Sequence, residues 1–337
     1  MTIEAGTLVT QPNFEHLRVL TGAHGLYEHA LHAQPRIEHG YTTDDNARAL
    51  VVLTRARGLG FEVDLEPYLG FVVSGAVASG WHNRMAASGE WEDRRGSDDC
   101  HGRAIWGLGE TIASGAGGSE AGDAFQAGVH NFASIHHRSI AYAILGVVPV
   151  LPVAPEPLLE EFLQTSVSKL PRPRVGDWRW PEDRLTYDNA RIPQAMIEAG
   201  LAMNDQNLTQ SGLDLLEWLV ETETGTSGFS FTPVGGRGPG DPKPAFDQQP
   251  IEAWAMVDAC VTAYVADPNP TWKSAAIRAA NWFHGENDGG HRLYDPETGA
   301  GYDGLHADGV NQNRGAESTL SALGAIVGHL RLLSLSP

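Results

Sequence analysis

The chain has 337 residues, of which 42 % are hydrophobic and 19 % charged. That balance describes a globular protein able to bury a large core without disulfide or metal staples, and it excludes a disordered or fibrous chain. With 23 Lys and Arg against 42 Asp and Glu, the net charge of −19 repels nucleic acid and anionic lipid, so neither is expected as a partner.

No shift in composition divides the chain, which reads as one domain over residues 1–337. Met1 to Phe14 lacks the basic start and apolar stretch of a secretory leader. No run reaches the roughly 18 apolar residues of a membrane helix. Cys100 and Cys260 form no CxxC pair and suit free thiols in a reducing compartment. The expectation is a cytoplasmic protein without a membrane partner.

Two kinds of segment alternate along the chain. Residues 14–33 read as an amphipathic helix. Thr42-Thr43-Asp44-Asp45-Asn46-Ala47-Arg48-Ala49-Leu50 then sets a polar, acidic start before an apolar, Ala-rich run. Residues 65–85 are amphipathic again, and Ser97-Asp98-Asp99-Cys100-His101-Gly102-Arg103 repeats the acidic start. After 120–132 comes a weaker start, His136-His137-Arg138, with histidines in place of acids. After 156–170 comes Thr186-Tyr187-Asp188-Asn189-Ala190-Arg191, and after 206–223 comes Asp247-Gln248-Gln249-Pro250-Ile251-Glu252. The stretch 271–286 and the start Asn313-Arg314-Gly315-Ala316-Glu317 complete the series.

The polar starts recur at a loose period of roughly 50–55 residues, enough for two helices and two loops. Ser, Thr, Asp and Asn accept the free N–H groups of a first helical turn, and Pro193 and Pro250 fall where a helix tolerates proline. Leu213, Leu216, Leu219 and Val220 recur at helical spacing, as on a half-buried outer helix. Six apolar inner helices and six amphipathic outer ones predict an all-α (α/α)6 toroid. Connections out of the inner helices are short, as at Asn204-Asp205. Those leading in are long, at 34–43, 86–97, 171–187, 224–247 and 287–313, and long loops on one rim of a rigid scaffold are where function gathers.

Six helix N-termini converging on one rim favour carboxylates, and a single Asp there needs no role beyond capping. Asp44-Asp45 and Asp98-Asp99 supply two acids where one would cap, and Asp188, Asp247, Glu252 and Glu317 join them. Acids that share a cleft raise one another's pKa, which lets one serve as proton donor while another stays a base. Glycosidases use such a pair. Tyr41, Trp91, Trp178, Trp180 and Tyr187, in or beside the rim loops, are candidates to stack on a sugar ring. Asn189, Gln249 and Asn313 suit its hydroxyls. Arg48, Arg103, Arg191 and Arg314 pair with the acids or read an acidic sugar. His39 and His101 adjoin the acidic clusters. The metal-binding HExxH, a Gly-rich phosphate loop and the GxSxG elbow are all absent from the sequence, so no metal or other cofactor is expected.

Leu26-Tyr27-Glu28-His29-Ala30, His39-Gly40-Tyr41-Thr42-Thr43-Asp44-Asp45-Asn46-Ala47-Arg48, Tyr187-Asp188-Asn189-Ala190-Arg191 and Gly315-Ala316-Glu317-Ser318 together resemble a group of actinobacterial and other bacterial (α/α)6-barrel proteins associated with glycosyltransferases. The layout is more distantly similar to six-hairpin glycosidases, including unsaturated glucuronyl hydrolases, in which rim carboxylates do the chemistry. That resemblance implies Asp188 as a catalytic acid or base, with Asp45 or Asp99 as its partner. The expected activity is inverting hydrolysis of an oligosaccharide. The alternatives are a sugar epimerase using His39, His101 and His136, a phosphorylase, or a non-catalytic sugar-binding module.

Overall fold

A computed structural model describes residues 11–335; residues 1–10, most of the Met1 to Phe14 stretch read for a leader, and residues 336–337 lie outside the described residues. Twelve α-helices occur among the described residues. In chain order they are α1 (Glu15–Leu20), α2 (Thr43–Gly58), α3 (Glu66–Ser74), α4 (Asp98–Ala113), α5 (Ser119–Asn131), α6 (His137–Val147), α7 (Pro157–Lys169), α8 (Arg191–Met203), α9 (Gln206–Glu223), α10 (Pro250–Ala266), α11 (Pro270–Asn281) and α12 (Ala316–Leu335). The even-numbered helices pack side by side in chain order, and α12 returns to α2, closing the ring. The odd-numbered helices form the outer layer. This is the predicted (α/α)6 toroid.

Local chemistry sets where the inner helices start. Thr42 caps α2 by accepting the Asp45 N–H, and Ser97 caps α4 by accepting that of Cys100. Pro250 opens α10 at a position where a missing N–H costs nothing. Neighbouring inner helices approach most closely where their facing residues are small. A Cβ on Gly109 of α4 would lie 1.9 Å from the Gly146 carbonyl oxygen of α6, and one on Gly146 would lie 2.4 Å from that of Ile105. Glycine is the residue that permits this contact. Cys100 and Cys260 are free thiols buried on α4 and α10, on opposite sides of the ring.

Three expectations need correction. The outer stretches 14–33 and 65–85 are helical only over α1 and α3. Beyond them the chain turns at Gly22 and Gly25, and at Gly75, into short antiparallel pairs such as Ala30–Leu31 with Gln34–Pro35 and Ala76–Val77 with Gly80–Trp81. The segment at Thr186 is not yet helix: α8 starts at Arg191, and Asp188 before it is left-handed, with φ of 49°. The membrane expectation needs narrowing: no unbroken apolar run of that length occurs among the described residues, but one helix, α12, is long and apolar enough on average to cross a membrane, with a mean hydropathy of 1.3. Its composition is that of an inner helix, covered by α2, α10, α11 and α1.

The long loops into the inner helices are stitched together by short strand pairs. Tyr41–Thr42 pairs with Arg84–Met85, Leu185 with Arg237, and Gln248 with both Pro233 and Leu305. The hairpin of Gly304–His306 and Gly309–Asn311 leads into α12. The rim is therefore a wall of paired backbone, which positions side chains more firmly than free loops do.

Candidate active site

The starts of the six inner helices are joined by one polar network. On α12 and α2, Arg48 donates from Nη1 to Asp45 (2.8 Å) and from Nη2 to Glu317 (2.7 Å). The Thr42 hydroxyl donates to the other oxygen of Asp45 at 2.7 Å. Between α2 and α6, Arg103 of α4 donates to Asp44 (3.0 Å) and to the Tyr142 hydroxyl (2.8 Å). Tyr142 of α6 passes the chain on, donating to Asp188 at 2.6 Å. Glu252 of α10 accepts the backbone N–H groups of Asp188 and Asn189 and the Asn189 side-chain amide. Asp99 accepts the hydroxyls of Ser139 and Tyr187. Under this network, Arg191 lies against Trp106 (4.7 Å) and Trp254 (4.6 Å) and donates to Asp258 at 2.7 Å.

A cavity of about 300 Å³ opens at one side of this ring, walled by Glu28, His29, Thr42, Asp44, Asp45, Arg48, Gln249, Asp303, Gly315, Glu317 and Ser318. Four larger hollows lie elsewhere: two of about 710 Å³ around the C-terminal ends of α8 and α2, one of about 670 Å³ along residues 172–179, and one of about 430 Å³ at the C-terminal ends of α2, α4 and α12, where Arg55 pairs with Glu110 and Asp258; none of them is lined by the starts of the inner helices. The acids of the rim cavity differ in how fully they are bound. Both oxygens of Asp45 are engaged. Glu28 gives both of its oxygens to Arg84, at 3.1 and 2.7 Å. Asp44 gives one to Arg103 and one to Asn83. Glu317 gives only Oε2, to Arg48, and its side chain is 40 % exposed. Asp303 uses Oδ1 to hold the Gly315 N–H and the Ser318 hydroxyl, fixing the start of α12.

Burial pushes the Asp45 carboxyl up to about 6, with Glu317 adding to the rise and Arg48 opposing it. Asp99 goes the other way. Burial raises it, but Arg103 and the hydroxyls of Ser139 and Tyr187 outweigh that and hold it below the ordinary carboxylate range. Burial, with Glu223 and Asp188 nearby, pushes Glu252 well above that range. One network thus contains a carboxyl that keeps its proton towards neutral pH and another that does not, the condition for dividing acid and base roles.

No protein-family model matches the chain, and no curated protein matches it in sequence. Solved structures do match its shape. A cellobiose 2-epimerase from Bacillus thermoamylovorans aligns over 96 % of both chains with a TM-score of 0.77 at 12 % identity. A sugar epimerase from a ruminal bacterium aligns over 96 % of both with a TM-score of 0.73 at 10 % identity. A GH76 α-mannanase from Bacteroides thetaiotaomicron covers 95 % of both, with a TM-score of 0.68 at 12 % identity. The chain has the six-hairpin glycosidase fold. At these identities the likeness speaks for the fold, not for the reaction.

Of the residues predicted from sequence, the six-hairpin ring brings Asp44, Asp45, Gln249 and Glu317 to the cavity wall. Asp99, Arg103, Tyr187, Asp188, Asn189, Arg191 and Glu252 belong to the adjoining network, and Asp188 is only 2 % exposed with both oxygens bound. Others stand apart. His101, on α4, is buried facing the outer layer, between Trp81 and Phe132, with Nε2 on the Gly128 carbonyl of α5. Trp178 and Trp180 pack on Trp218 of α9; Trp180 is fully buried, and Trp178, half-buried, donates its ring N–H to the Glu182 carbonyl. Tyr41 is buried against Tyr27, and Trp91 stacks on His82. Asp98 pairs with Arg95, Asp247 with His306, and Arg314 with Asp295 under Tyr302. Asn313 accepts the His32 N–H, and the His39 ring meets that of His29.

Sequence reasoning missed Glu28, His29, Asp303 and Tyr142. Glu28 and His29 sat in a stretch read as outer helix. Asp303 lies in a long rim loop without periodicity. Tyr142 had a usable signal: four residues after Arg138 on an inner helix, it shares the face turned to the ring.

Proposed function

We propose that this protein is a carbohydrate-active enzyme, an inverting glycoside hydrolase in which Asp45 is the general acid and Glu317 the base. The observation that carries this reading is Arg48, which binds Asp45 and Glu317 on one cavity wall. In the reaction, the Asp45 proton goes to the glycosidic oxygen as the C1–O bond breaks. A water attacks C1 from the opposite face and gives its proton to the free Oε1 of Glu317. Solvent returns one proton to Asp45 and takes one from Glu317. An inverting pair is spaced roughly 6.5–9.5 Å apart to admit the attacking water, a retaining pair roughly 5–5.5 Å, and the product anomer reports which of the two applies. Asp188, the first choice from sequence, is bound by Tyr142 and Arg191 and, unlike Asp45, does not line the cavity, so it fits a positioning role beneath the pair.

A screen of oligosaccharides with and without phosphate, read by mass and by NMR of the product anomer, tests this. Two smaller sugars of inverted anomer are expected, with turnover lost in Asp45→Asn and Glu317→Gln. Full turnover in both variants would overturn the role assignment. Epimerisation is the second reading, favoured by His29 on the cavity wall. It predicts one product of unchanged mass, whereas a phosphorylase requires phosphate.

A further inference from the structure

We infer that the site receives the end of a glycan chain, one or two sugar units deep, and not an internal stretch. The inference deepens the carbohydrate reading above and rests on it for the class of ligand. Much of the rim around the inner-helix starts is bridged by side chains and paired backbone. On the α4–α8 side, Tyr187 spans to Asp99, and Arg138 ties Glu182 to Asn189. On the α10 side, the backbone of Gln248 is paired to Leu305. What stays open is the 300 Å³ beside α2 and α12. It lies at the lower limit of ligand pockets, about 300–1,000 Å³.

Glu28 lines the pocket, and Arg84 holds it from outside the wall. Arg84 sits on the strand pair that fixes Thr42, holds both oxygens of Glu28, and reaches Glu92 at 4.0 Å. A chain running through the site would have to displace this pair. A chain ending in the site would not. Arg84 is thus assigned as a residue that sets chain-length specificity, with no part in bond breaking.

The test is affinity against chain length, measured by calorimetry on Glu317→Gln with gluco- and manno-oligosaccharides of one to six units. Asp45→Asn serves as a second inert variant should the first fail to fold. The expected result is affinity that levels off by the second unit, with less than a twofold gain beyond it. Arg84→Ala is expected to remove the plateau, so that longer chains gain tenfold or more. Affinity that climbs steadily to six units in the protein with Arg84 intact, or no binding by any member, would overturn the inference. The wild-type products separate it from the hydrolase reading. Release of one or two units from chain ends supports both. Internal scission sinks the end-binding pocket and leaves hydrolysis standing. A binding plateau without any cleavage does the reverse.

Discussion

Replacing Asp45 by Asn tests the proton-holding role directly, without a substrate. Raising this carboxyl from an ordinary 3.8 to about 6 disfavours its ionised form by about 3 kcal/mol in the folded protein relative to the unfolded chain. The folded state therefore binds this proton more tightly. Its stabilising contribution is complete below about pH 4 and is lost as the pH rises through about 6. Asn cannot titrate, so the variant lacks this dependence. Urea unfolding of both proteins at half-unit pH steps, followed by tryptophan fluorescence, yields the difference in stability, in which groups titrating alike cancel. The wild type is expected to lose up to about 3 kcal/mol relative to Asp45→Asn between pH 4 and 7, most of it by pH 6. A difference that is flat with pH, or that slopes the other way, would mean that Arg48 keeps Asp45 ionised. It would then have no proton to give a glycosidic oxygen near neutral pH, and the acid would have to be another residue.

Turnover of an identified glycan should fall as the pH rises through about 6, and Glu317→Gln should lose the activity and move that limb to lower pH in whatever residual rate is measurable, because the Glu317 charge adds to the rise of Asp45. Arg191→Met leaves Asp258, which is buried, with Arg55 as its remaining arginine partner, and unfolding should be easier by about 3–5 kcal/mol in urea titrations. Tyr142→Phe strands one oxygen of Asp188 and one nitrogen of Arg103, a cost of about 1–3 kcal/mol. Gly109→Ala forces α4 away from α6 against a backbone carbonyl that cannot give, and a loss of about 1–3 kcal/mol or failure to fold is expected from the same titration.

The toroid was legible because it is written in patterns that repeat. Inner helices must be apolar all round, and their starts must satisfy free N–H groups, so polar cluster followed by Ala-rich run recurs whatever the individual residues. The outer helices were read too long because amphipathic spacing continues into segments whose glycines turn the chain. The site was legible as a rim and not as a set of residues. Trp178 and Trp180 look like sugar platforms in a list of loop aromatics. Only the path of the loop over α9 shows that they pack on Trp218. The third repeat seemed to lack chemistry because it has no acid. In the fold, its Arg138, Ser139 and Tyr142 are the partners that bind Glu182, Asp99 and Asp188, so α6 supplies donors to the acids of its neighbours.

The sharpest limit lies in a tetrapeptide that occurs twice. Asp45-Asn46-Ala47-Arg48 and Asp188-Asn189-Ala190-Arg191 are identical, and in both the arginine reaches back to the aspartate three residues before it. Their surroundings separate them. At the first copy, Thr42 caps the backbone, so the aspartate falls within the first turn of α2 and its arginine is free to reach across to Glu317. At the second, Glu252 reaches in from α10 and takes the N–H groups of Asp188 and Asn189. The helix then begins three residues later, Asp188 turns left-handed, and its arginine points inward to Asp258. One copy ends on an open cavity and the other under a sealed floor. Glu252→Gln, which puts an amide where the carboxyl accepts the N–H groups of Asp188 and Asn189, should lower the unfolding midpoint in urea while leaving Asp45 and its pH-dependent stability unchanged.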